Sequence, residues 1–210
     1  GNGRVLLITG CSGLGFNLAP HFGVYQLCNY LIQHGILCDL YDRDLELNNW
    51  CDKGEADFVK NIENGVYDVV GISVAHDKVL GEQKMLADLD LLWRLHAAAD
   101  RSGKRPLFVA GGQAATLNWQ QWLKLGIDMI FLGFAEKSLY EMCSRLFSQP
   151  LHLGNGLDIA ALADGISGVA YCDKAQTEYY VPAKRVTEKL FRELFFEMPM
   201  SYNYNMPYYE

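Results

Sequence analysis

Four short stretches of the sequence combine small residues with groups able to hold a large ligand. They are Pro20-His-Phe-Gly23, Ser73-Val-Ala-His-Asp77, Gly111-Gly-Gln113 and Gly133-Phe-Ala-Glu136. Glycine lets a ligand approach the backbone closely, although glycine at a strand end also simply makes a turn. The Ser73 hydroxyl suits a hydrogen bond to a ligand, or to its own neighbouring backbone. Glu136 is either a carboxylate stabilised by a helix N-terminus or a contact to a ligand hydroxyl or amide. His21 and His76 each offer a neutral imidazole to a metal ion. His34, His96 and His152 have no partner pattern and read as structural or surface residues, and Trp50, Trp93, Trp119 and Trp122 read as packing groups, with Trp119 close to the Gly111-Gly112 turn.

Elements that place these stretches together can be read from the pattern of apolar residues. Arg4-Val-Leu-Leu-Ile-Thr-Gly10 is a continuous apolar run closed by glycine, as expected of a strand covered on both faces. Pro20 then opens a helical pattern that Gly35 ends. Further strands are expected over residues 36–41, 67–73, 106–111 and 128–132, and helices over 55–63, 80–100, 117–125 and 136–147. Five β-α units in a row predict an α/β fold: a doubly wound, five-stranded parallel sheet of flavodoxin or Rossmann type, with strand order 2-1-3-4-5. The four stretches then fall beyond the carboxyl ends of the strands, where such sheets bind ligands. After Pro150 the pattern changes. Residues 168–173 and 177–181 read as a hairpin, and the tail from Pro182 has no evident partner within the chain. The expected division is a binding domain over 1–150 and a hairpin extension with a linker over 151–210.

Of 210 residues, 20% are charged and the net charge is −7, which disfavours a phosphate-neutralising face and hence nucleic acid as a partner. Apolar runs are strand-length, so no membrane segment is expected. Six cysteines without a Cys-x-x-Cys pair, and no visible secretory leader, read as reduced thiols in a cytoplasm. The Gly-Asn-Gly start and the Tyr-rich end read as cuts in a longer chain.

Taken in order, Val70-Gly-Ile-Ser73, Val109-Ala-Gly-Gly112 and Leu132-Gly-Phe-Ala-Glu136 resemble the cobalamin-binding module over residues 4 to 148. With Pro20-His-Phe-Gly23 and the later Gly168-Val-Ala-Tyr171, the chain is most similar to the N-terminal domain of cobalamin-dependent radical SAM enzymes. The resemblance implies cobalamin as cofactor, held by Pro20, His21, Phe22, Gly23, Ser73, Val74, Ala75, His76, Gly111, Gly112, Gln113, Gly133, Phe134 and Glu136. It also implies a radical SAM catalytic domain in the same chain as partner, with its own [4Fe-4S] cluster and S-adenosylmethionine, and methyl transfer to an unactivated atom. The Cys-x-x-x-Cys-x-x-Cys that would hold that cluster is absent here. So is the Asp-x-His-x-x-Gly loop of the parent module, which leaves His21 without its Asp. His76 is then the favoured candidate for a lower cobalt ligand, since it follows the third strand.

A competing reading starts from Thr9-Gly-Cys-Ser-Gly-Leu-Gly15, which is one residue short of the pyrophosphate loop of short-chain dehydrogenases. Asp42 could there hold a ribose hydroxyl, but the matching Tyr180-Val-Pro-Ala-Lys184 is broken by proline. A flavin phosphate in the same glycine-rich loop is a further alternative.

Overall fold

The computed structural model describes residues 3–11, 21–76, 78–148, 157–172 and 200–203. In chain order they form β1 (Arg4–Ile8), α1 (Phe22–Gln33), β2 (Leu37–Tyr41), α2 (Arg43–Leu47), α3 (Glu55–Glu63), β3 (Val69–Ser73), α4 (Lys78–Ser102), β4 (Leu107–Gly111), α5 (Gln113–Leu117), α6 (Trp119–Lys124), β5 (Met129–Phe131), α7 (Glu136–Ser148), α8 (Ile159–Ala163), β6 (Val169–Cys172) and β7 (Met200–Asn203). The sheet order is β2-β1-β3-β4-β5-β6-β7, parallel through β5 and antiparallel beyond it.

The α/β architecture and the order 2-1-3-4-5 are as the sequence predicts. Alternation along each strand sends one set of side chains to each face. Leu6, Ile8, Val70, Ile72, Phe108 and Ala110 pack under α3 to α6. Val5, Leu7, Val69, Val109 and Phe131 pack under α1, α7 and α8. Helices thus cover both faces, and the strand order reverses between β1 and β3.

Several boundaries differ from expectation for physical reasons. Residues 113–125 hold two helices rather than one, with Asn118 closing α5 and opening α6. The short α2 was not expected; Asp42 creates it by capping the backbone N–H groups of Asp44 and Leu45 at 2.9 and 3.2 Å. The first strand of the expected hairpin is β6, but both its edges are taken, by β5 and by β7. Residues 177–181 lie outside the described residues. Met200–Asn203 in the expected linker instead completes the sheet as β7. Trp122 is buried in the core and Trp119 packs against it, whereas Trp50 is exposed rather than packed. His152 lies outside the described residues. No helix among the described residues is long and apolar enough to cross a membrane.

Candidate functional site

Between α1 and α7, at the carboxyl end of the sheet and beside the β1/β3 reversal, lies an open cleft of about 280 Å³. Strand register divides it into two levels. Leu7, Gly71 and Val109 are aligned across β1, β3 and β4 and form the deep level. Ser73 and Gly111 are aligned one pleat nearer the mouth. Helix α1 contributes Val24 and Leu27 to one wall, and α7 contributes Leu139 to the other, with Ala135 just before it.

Gly71 is what makes the cleft deep. A Cβ there would stand 2.8 Å from Leu7 Cδ2 and 3.3 Å from Val109 Cγ2, so any side chain would fill the notch between them. Glycine within the run Val69-Val-Gly-Ile-Ser73 weakens a strand and often marks a close approach of ligand or backbone. That was the signal for Gly71. Gly23 faces open space, with nothing within 4 Å of a Cβ built on it. Gly112 has a different role: its φ is +104°, and a Cβ would lie 2.5 Å from the Val74 carbonyl oxygen. Val74 N–H donates to the Gly111 carbonyl at 2.8 Å, and Ala114 N–H donates to the Val74 carbonyl at 3.1 Å. Gly112 therefore lets β3 and β4 turn tightly past one another.

Of the residues singled out from sequence, His21, Phe22, Gly23, Ser73, Gly111, Gly112, Gly133, Phe134 and Glu136 line this cleft. Phe22 and Phe134 form an exposed apolar rim. Val74 is fully buried, and Ala75, His76 and Gln113 do not line the cleft. Pro20 lies outside the described residues. His21, rather than His76, sits at the mouth, and its Nε2 is 2.9 Å from Oδ2 of the buried Asp44. The carboxylate missing from the local sequence is thus supplied by α2, 23 residues later. Any metal coordination by His21 would use Nδ1.

Beside His21 is a buried polar cluster at the ends of β1 to β3. Arg43 pairs with Asp88, which is 1% exposed. Burial raises the Asp88 carboxyl above the ordinary carboxylate value, against the opposing pull of Arg43 and, less strongly, His76. Burial also raises the Cys11 thiol, so Cys11 is not an activated nucleophile. Asp42 has both oxygens engaged, one by the α2 cap and the other by the Tyr25 hydroxyl at 2.6 Å. Burial first, and then that carboxylate, push Tyr25 up to about 12. A nucleotide ribose would have to displace Tyr25 or uncap α2, which weighs against the dehydrogenase reading. Tyr180 and Lys184 lie outside the described residues. Thr9 is likewise engaged, its hydroxyl donating to the Gly10 carbonyl and accepting from Arg43 N–H at 3.0 Å. Among the described residues no three His, Cys, Asp or Glu side chains are grouped so as to hold a metal ion.

The chain matches no protein-family model, and no curated protein matches it closely enough to count as a relative. Solved structures do resemble it. The radical S-adenosylmethionine methyltransferase TsrM from Kitasatospora setae, with cobalamin and a [4Fe-4S] cluster bound, aligns at TM-score 0.55 and 18% identity over 85% of this chain and 30% of that one. TsrM with tryptophan substrate and the SAM analogue aza-SAM aligns at TM-score 0.55 and 17% identity over 83% of this chain and 29% of that one. The apo, selenomethionine-labelled cobalamin-dependent S-adenosylmethionine radical enzyme OxsB aligns at TM-score 0.57 and 17% identity over 88% of this chain and 22% of that one. The chain therefore spans less than a third of those proteins, and at these identities the likeness is one of fold.

Proposed function

We propose that this chain is a cobalamin-binding domain, and that it serves a radical SAM enzyme of the methyltransferase kind. The observation that carries the reading is the Gly71 notch: a deep apolar cleft at the strand reversal, kept open by a missing side chain, in a fold shared with larger proteins of that type. The residues fit the cofactor's nucleotide tail. Pockets that hold whole drug-sized molecules run to roughly 300–1,000 Å³. A cleft of about 280 Å³ suits a bicyclic base with its sugar, and the far larger corrin would rest outside, over the carboxyl ends of the strands.

In this reading Leu7, Leu27, Val109 and Leu139 bury the base, and Ser73 and Glu136 at the mouth meet the polar part of the tail. Phe22 and Phe134 would offer the macrocycle an apolar contact, and Asp44 holds the ring of His21, which could meet it through Nδ1. Bound cobalamin would supply cobalt chemistry able to relay a methyl group. The [4Fe-4S] cluster and S-adenosylmethionine would be held by a radical SAM domain elsewhere in the full protein. Among the described residues, every one that lines the cleft precedes 150, which is where we place the limit of the binding part.

The test is to mix the protein with hydroxocobalamin, remove free cofactor by desalting and record the visible spectrum, with NADH and FMN as parallel ligands. A stoichiometric corrin spectrum with displaced-base band positions is expected. Retention of NADH or FMN in place of the corrinoid would overturn the proposal.

A further inference from the structure

Polar and apolar groups are separated by depth in the cleft. Ser73 stands at the end of β3, and His21 and Glu136 stand at the starts of α1 and α7, whereas the deep level is Leu7, Gly71 and Val109, walled by Leu27 and Leu139. Leu7, Gly71 and Val109 stand in β1, β3 and β4, each of which is paired on both edges, so the backbone N–H and C=O groups there are committed to the sheet. A ring lowered to that level meets carbon and saturated peptide groups.

We propose that this cleft selects among corrinoids by their lower base, taking bases with an apolar edge, such as dimethylbenzimidazole or a phenol, and discriminating against purines. Gly71 is the specificity determinant, because it opens the level at which the base edge is read. The inference rests on the cobalamin-binding reading and adds which cobamides the site accepts. An adenine base would bring an exocyclic amine and ring nitrogens to a level where, among the described residues, the lining offers carbon and sheet-paired backbone rather than a polar side chain. Each such group left unpaired costs enough to weaken binding about tenfold or more.

The experiment titrates the 210-residue chain with four corrinoids: cobalamin, a cresolyl cobamide, an adeninyl cobamide, and cobinamide, which has no nucleotide. Dissociation constants are read by equilibrium dialysis. The expected result is that cobalamin and the cresolyl cobamide bind alike, the adeninyl cobamide at least about tenfold more weakly, and cobinamide no better than the adeninyl form. Val109→Thr places a hydroxyl at the deep level with nearly the same shape, and should narrow the gap between cobalamin and the adeninyl cobamide while thermal melting confirms a folded protein. Equal binding of cobalamin and the adeninyl cobamide would overturn the selectivity and leave cobalamin binding standing. If cobinamide bound as well as cobalamin, the base would not enter the cleft and the inference would fall. Failure of all four to bind would overturn the functional reading itself, and the selectivity with it.

Discussion

Replacing Gly71 by valine fills the notch that the account depends on. The Cβ alone would lie 2.8 Å from Leu7 Cδ2, the end of a flexible side chain, and 3.3 Å from Val109 Cγ2, so both neighbours must shift and the two added methyls occupy the deep level. Overpacking of this kind costs about 1–3 kcal/mol of stability, partly offset by the better strand propensity of valine. The fold should survive. Burying a ring the size of a Phe side chain contributes about 1.5–3 kcal/mol, and about 1.4 kcal/mol corresponds to tenfold in affinity. Excluding the base should therefore weaken cobalamin about 10- to 100-fold, towards the affinity of cobinamide, whose own affinity should hardly change. Spectral titration at fixed temperature measures both, with the melting temperature confirming a folded variant. A folded Gly71→Val protein that binds cobalamin as the parent does, or loses cobinamide to the same extent, would refute a role for the notch in holding the base.

Two further predictions concern the structure around the site. Arg43→Leu leaves Asp88, at 1% exposure, without its cationic partner, and should cost about 3–5 kcal/mol in urea unfolding. Adding Asp88→Leu should recover most of that loss, and a double variant no more stable than the single would sink the argument. His96, 5% exposed and packed at a tilt against Phe108 with ring centroids 4.2 Å apart, has its pKa pushed down to about 3 by burial and, to a lesser degree, by Arg105. Its folded pKa lies below the unfolded value of 6.5, so the unfolded chain binds the extra proton between them and stability falls as pH drops through that window. The loss between about pH 7 and pH 5 should be about 2 kcal/mol, and His96→Phe should flatten that part of the melting profile.

The frame of the fold was legible because four of the five parallel strands, β1, β3, β4 and β5, are apolar runs closed by glycine or serine, and the intervening helices have their own stops. Gly35 and Gly103 take the positive φ that ends α1 and α4. The mouth of the cleft was legible for the same reason, since it is built from strand ends. What escaped was long-range. The partner of His21 is Asp44, on a five-residue helix whose formation depends on a cap by Asp42 rather than on any periodic pattern. The deep level was hidden because Leu7, Val109 and Leu139 look like ordinary core residues until the strand register sets them around Gly71. Gly111 and Gly112 read alike in sequence, yet only the second is locked by a positive φ against the Val74 backbone. His76 follows the third strand but does not line the cleft, which opens towards α1 and α7, the side His21 occupies.

The most direct test of the central claim is amide hydrogen exchange of the protein with and without saturating cobalamin. Added protection is expected to concentrate in residues 22–28 of α1, at the carboxyl ends of β3 and β4, and in residues 133–139. Saturable binding with protection confined to other segments would contradict that claim.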